Sequence, residues 1–368
     1  MKYFLKTQWM WIAPFILLTL ATITLILIKT KYEVITPAVI TNVEGYIHID
    51  TEEDVDVDIN SVSVFGFSNS SLFNYLFSKV NPFSNSEYLD SYYNTNSDYI
   101  IEQGKIHRQL SIDGAISSGY SAAGYDVNLY FHGYKVTSVL ANAKTDALLG
   151  DIITSVEGIQ LTEEVSFIDV VKKLYQEKKQ TSFNYNYIRN GSKASGLFTL
   201  YEIYNKNTNK SSLTPGIVTE AYFTIKSIDE EAPKYKAEHG GSIGPSGGLM
   251  QALYVYEALT GGNLTKDLKI AGTGTVDFFG NAGLISGIEQ KIYIANANNV
   301  DVFFVPVDMS YEDEEDQKSN YVDALKAQEL LRKIGQDDME IVPVSSLEEI
   351  IKYLEERQKW SYLLSLHY

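Results

Sequence analysis

Gly244-Pro245-Ser246-Gly247-Gly248-Leu249 sets the reading of the 368-residue chain. Glycines and a proline hold a serine where a loop turns into a helix. Met250-Gln251-Ala252-Leu253-Tyr254-Val255-Tyr256-Glu257-Ala258-Leu259 follows with apolar residues at helical spacing, and Gly261-Gly262 stops it. Ser246 therefore lies at a helix N-terminus, where unpaired N–H groups and the positive end of the dipole favour a developing oxyanion. Serine is also a favoured N-cap. The hexapeptide alone leaves both readings open, a nucleophile or a cap.

Downstream residues separate the two. Residues 269–277 read as a strand, 278–283 as a turn centred on Gly280-Asn281, and 284–291 as the entry to a helix ending near Ala297. A strand at 301–306, a helix at 321–334, a strand at 340–344 and a helix at 347–356 complete the succession. This order resembles the proteolytic domain of the Lon proteases, a mixed α/β fold like the second domain of ribosomal protein S5. That family sets a serine in Gly-Pro-Ser-Ala-Gly and a lysine some forty residues later, after a Gly-Gly pair. The resemblance makes Ser246 the nucleophile and Lys291 its base. Thr273 matches a threonine that positions the lysine amine, and Gly244, Pro245 and Gly247 shape the loop. Two positions depart from the pattern. Gly247 replaces an alanine, which loosens the helix start by roughly 0.5–1 kcal/mol, and Ser286 replaces the first glycine of the pair.

A serine hydroxyl needs a base to attack. His239, seven residues before Ser246, is the only histidine near in sequence. A lysine serves only if burial disfavours its charged form. Lys291 lies among Ile288, Ile292 and Ile294, on an expected half-buried helical face. No Gly-x-x-x-x-Gly-Lys-Ser/Thr loop occurs, so ATP is not expected, and the reaction needs no cofactor. Without a coupled unfolding engine, the substrates implied are peptides, flexible segments or unfolded chains.

Apolar residues make up 45% of the chain and charged residues 21%, a globular balance. A net charge of −17 argues against nucleic acid. The absence of cysteine removes thiolate chemistry, and five scattered histidines argue against a metal site.

Residues 9–28 carry no charge and reach the length of a bilayer crossing, with Trp9 and Trp11 at one end. The expectation is a transmembrane anchor over 1–30 in a single-pass cell-membrane protein, with a cytoplasmic N-terminus and an extracellular body. Residues 31–122 read as a spacer or accessory region without chemistry. Residues 123–204 alternate strands with an amphipathic helix at 166–176. Leu149-Gly150-Asp151-Ile152-Ile153 and Val156-Glu157-Gly158 give this stretch its resemblance to a PDZ domain, β-rich with helices. Such domains take an extended peptide beside a strand and a helix. Here that implies a groove formed by Tyr134, Val136, Val139, Phe167 and Val171. Residues 205–215 read as a polar linker, and 212–358 as the Lon-like domain.

The whole is an α+β multidomain chain. It resembles the membrane-anchored, ATP-independent Lon-like serine proteases of Gram-positive bacteria. The partners expected are peptide or protein substrates and a membrane, with oligomeric state left open. Two other readings stand beside it: a non-catalytic surface protein that binds peptides or scaffolds, and an esterase, which lacks its Gly-x-Ser-x-Gly elbow.

Overall fold

The computed structural model describes residues 2–365, apart from 52–54, 207–208, 238–243, 266–267, 310–313 and 337–338; side chains are described for neither 2–10, 315 nor 360–365. Two sheets dominate it. The first has six strands in the order Glu340–Val344, Val302–Pro306, Lys269–Gly272, Asp58–Phe67, Tyr32–Asn42, Asn85–Tyr88. The first four run parallel and the last two pair antiparallel. Val302-Phe303-Phe304-Val305-Pro306 is buried at every position, as a parallel strand covered on both faces must be.

Residues 31–122 are thus no separate accessory region. Their strands Tyr32–Asn42 and Asp58–Phe67 extend the sheet begun by Lys269–Gly272. Their helix Ser97–Ala122 packs along the helix Gly248–Thr260 that follows Ser246. The approach is close because Gly119 faces Val255: a Cβ there would lie 2.5 Å from Val255 Cγ1. Asn96 caps the long helix by accepting from the amides of Asp98 and Tyr99.

The second sheet is an insertion. Its strands run Ile217–Ile228, Val127–Val139, Ile152–Val156, Ser182–Arg189, Ser192–Thr199, Lys144–Thr145. The helix expected at 166–176 forms over Phe167–Lys178, capped by Ser166, with Phe167, Val170, Val171 and Leu174 buried. Asn190 and Gly191 have positive φ (50° and 77°) and close a two-residue hairpin. This module runs past the expected boundary at 204. Lys210–Thr214, read as linker, pairs with Tyr201–Asn205 in a hairpin, and Ile217–Ile228 returns as an edge strand on Val127–Val139. The chain therefore builds part of the first sheet, leaves for the module, and comes back to finish it.

The expected membrane anchor does not stand. A helix forms over Lys2–Leu27, but among the described residues no helix is long and apolar enough to cross a membrane. The helix Lys2–Leu27 also carries Pro14 and three threonine hydroxyls bonded to carbonyls four residues back. The single-pass placement, cytoplasmic N-terminus and extracellular body rested on that span and fall with it.

Candidate active site

Ser246 is not the cap of its helix. The N-cap position belongs to Gly247, which makes no side-chain capping bond. Ser246 stands one residue earlier, and its carbonyl is held twice, by the Gly274 amide at 2.9 Å and by Thr273 Oγ1 at 3.0 Å. Leu249 N reaches Gly274 O at 3.2 Å, so residues 246–249 and 273–274 lock together. The amides of Ser246 and Gly247 bond to no carbonyl among the described residues. Two donors at a helix start are thereby left for an oxyanion. Gly274 has φ 138°, and a Cβ there would meet Pro306 and Leu249 at 3.2–3.3 Å, so this contact needs glycine.

Thr273 is completely buried, and its amide bonds to Phe304 O on the neighbouring parallel strand. Its hydroxyl accepts from Lys291 Nζ at 2.8 Å while donating to Ser246 O. Among the described residues no hydrogen bond joins Ser246 Oγ directly to Lys291 Nζ; the link runs through Thr273. Apo geometries of this kind tighten when substrate binds.

Lys291 lies on the helix Ile288–Ala297 and is 2% exposed. Ile288, Ile292 and Ile294 beside it are buried too, so the face is more enclosed than the expected half-burial. Burial alone pushes the amine down to about 7, because a charged ammonium cannot replace its hydration there. Gly287 starts this helix at φ 71°, and a Cβ would press Ile35 and Val64 at 3.2 Å.

The two departures from the Lon pattern have simple local settings. A Cβ on Gly247 would come 3.2 Å from Ser61 Cβ, so the neighbouring strand favours glycine there. Ser286 is exposed and meets no constraint. His239 lies outside the described residues.

Sequence reasoning missed Ser111. From the long helix, its hydroxyl donates to Pro245 O at 3.0 Å and pins the loop before Ser246. The signal was the small-residue stretch Ser111 to Gly119, which allows two helices to meet closely. The module's predicted groove is a correction. Tyr134, Val136, Phe167 and Val171 are core residues, and Val139 is only partly exposed. Strand Val127–Val139 is paired on one side by Ile217–Ile228 and on the other by Ile152–Val156. The groove position is filled by the chain's own edge strand, which leaves Val127–Val139 no free edge for a peptide.

A cleft of about 1010 Å³ runs between the module and the body that carries Ser246. Val218, Thr219 and Glu220 form one wall, Thr275–Val276 and Ala282–Gly283 another, and Pro245 lies at its end. Among the described residues no three His, Asp or Glu side chains gather as metal ligands. No protein-family model matches the chain.

Proposed function

We propose that this chain is an ATP-independent serine endopeptidase that uses a Ser246/Lys291 dyad on extended or unfolded polypeptide. The observation that carries this is the buried Lys291 amine, tied through the Thr273 hydroxyl to the segment bearing Ser246. A structural lysine gains nothing from such a place. A base that must be neutral near pH 7 gains its function from it.

In the proposed reaction, neutral Lys291 takes the Ser246 hydroxyl proton as Oγ bonds to the scissile carbonyl carbon. The carbonyl oxygen becomes an oxyanion facing the amides of Ser246 and Gly247. As the C–N bond breaks, the Lys291 ammonium returns its proton to the leaving amine. Water, deprotonated by neutral Lys291, then attacks the acyl ester, and the proton passes back to Ser246 Oγ as the acid leaves. Thr273 holds the amine in place and keeps the Ser246 backbone fixed. The wide cleft suits a strand of substrate, and the module supplies its wall through Val218–Glu220 rather than through a classical groove.

A serine-directed phosphonate probe tests the proposal. It should label Ser246, and Ser246→Ala should lose both labelling and peptide cleavage. A wild-type protein that takes no label and cuts no unfolded polypeptide would leave the non-catalytic binding reading in its place.

A further inference from the structure

A small cavity of about 80 Å³ opens beside the nucleophile, separate from the wide cleft. Ser246, Gly247, Ser61, Tyr46, Arg108 and Gln251 are among the residues that line it. Gln251 is the unusual member. It lies on the nucleophile helix, its amide N–H bonded to Gly247 O at 3.0 Å, and it is 6% exposed. Its Oε1 is fully buried and, among the described residues, has no hydrogen-bond partner. A Cβ on Gly247 would lie 3.8 Å from its Nε2, so the carboxamide sits beneath the oxyanion loop. Burying an acceptor unpaired is costly, and the nucleophile helix could carry an apolar residue there, as its neighbours Met250 and Ala252 do.

We propose that this cavity receives the side chain of the residue whose carbonyl Ser246 attacks, and that Gln251 selects there for a short neutral side chain carrying a hydrogen-bond donor, asparagine first. The inference rests on the peptidase reading above. Its geometry follows from the attack itself. A carbonyl placed over Ser246 and Gly247 brings its own Cα next to the cavity, and the flanking chain runs on along the cleft. The volume admits a short side chain and excludes large ones. An apolar side chain would leave Oε1 dry and unpaired. A carboxylate would bring a second acceptor against it. The asparagine amide can donate to Oε1 and accept from Nε2, satisfying both ends of the glutamine. Arg108, 8% exposed and lying over the Tyr46 ring at 5.0 Å, forms a far wall of the same cavity.

The test is a set of internally quenched peptides, identical except for Asn, Ser, Asp or Leu before the scissile bond. In the wild-type protein, kcat/KM for Asn should exceed that for Leu by about tenfold to a hundredfold, the discrimination expected of a buried hydrogen-bonding site. Gln251→Met, close in shape and without the amide, should bring that ratio to unity or invert it, and Gln251→Leu should do the same. A preference for Leu in the wild type would overturn the proposal without any variant. A preference for Asp would assign selection to Arg108 and overturn it too, as would an unchanged Asn-to-Leu ratio in both variants. Cleavage of peptides with no preference at this position refutes the subsite alone. Failure to cleave any peptide, with no labelling of Ser246, refutes the peptidase reading and the subsite together.

Discussion

Two cationic side chains in this molecule, one partly exposed and one buried, meet opposite fates. In the inserted module, Arg189 reaches from its strand to Asp151, which is 1% exposed, with Nε–Oδ1 and Nη2–Oδ2 both at 2.7 Å. The hydrogen bonds to Asp151 hold the guanidinium firmly in its charged form. On the helix Ile288–Ala297, Lys291 has a threonine hydroxyl and, among the described residues, no carboxylate partner, and burial pulls its amine down to about 7. The partly exposed guanidinium keeps its charge by pairing with a buried carboxylate, and the buried amine offsets its loss of water by losing the proton. The paired charge is structure, fixing the turn that carries Leu149-Gly150-Asp151. The amine without a counter-charge is, on the proposed reading, a base.

The contrast is broken most severely at the dyad. Ser246→Ala and Lys291→Ala should each lower kcat for unfolded polypeptide by about 10⁴–10⁶, with the double variant no worse, since the residues act as a unit. Lys291→Arg should be equally inactive, because guanidinium keeps its proton at working pH. Thr273→Val keeps the shape but removes the hydroxyl between amine and loop. Steady-state kinetics should show a loss of about tenfold to a hundredfold, mostly in kcat, from misplacement of the base.

Stability sharpens the same comparison with opposite signs. Asp151→Ala removes the module's buried carboxylate, and chemical denaturation should register a loss of about 2–3 kcal/mol, moderated by the partial exposure of Arg189. Lys291→Met should instead stabilise the protein at pH 7, by about 1–3 kcal/mol after the lost Thr273 bond is counted. The sign follows from the lowered amine. Above the ordinary lysine pKa of 10.5 neither folded nor unfolded chain is protonated there, and the gain from methionine disappears. Between 10.5 and about 7 the unfolded chain binds the proton more readily, so the gain grows as pH falls, and below about 7 it is constant. Melting curves of both proteins from pH 6 to 10.5 read this directly.

Local patterns were legible in the sequence; pairings across long chain separations were not. The loop at Ser246, the strand to Thr273 and the helix of Lys291 each carry their own glycines and periodicity, so their succession could be read. So could the module helix capped by Ser166 and the turn at Asn190-Gly191. The partnership of Asp58–Phe67 with Lys269–Gly272 joins segments some 210 residues apart, and nothing in either strand names the other. For the same reason Ser111 escaped notice, since its role exists only once two helices pack. The groove at Tyr134 and Val136 failed differently. Its alternating strand was real, but the edge it offered was taken by Ile217–Ile228, which the sequence showed only as residues beyond a polar stretch. At the N-terminus, an uncharged run suggested a span, but among the described residues no helix is long and apolar enough to cross a membrane.

The central claim is that Lys291 is a neutral base because it is buried, and the pH dependence of Ser246 labelling tests it most directly. The second-order rate of reaction with a phosphonate probe should be measured from pH 5 to 10. It should rise as Lys291 loses its proton, with a midpoint of about 7, and level off well below the ordinary lysine range. In Lys291→Ala the rate should be far lower and lack that midpoint. A wild-type midpoint near 10, or an unchanged profile in Lys291→Ala, would contradict the account.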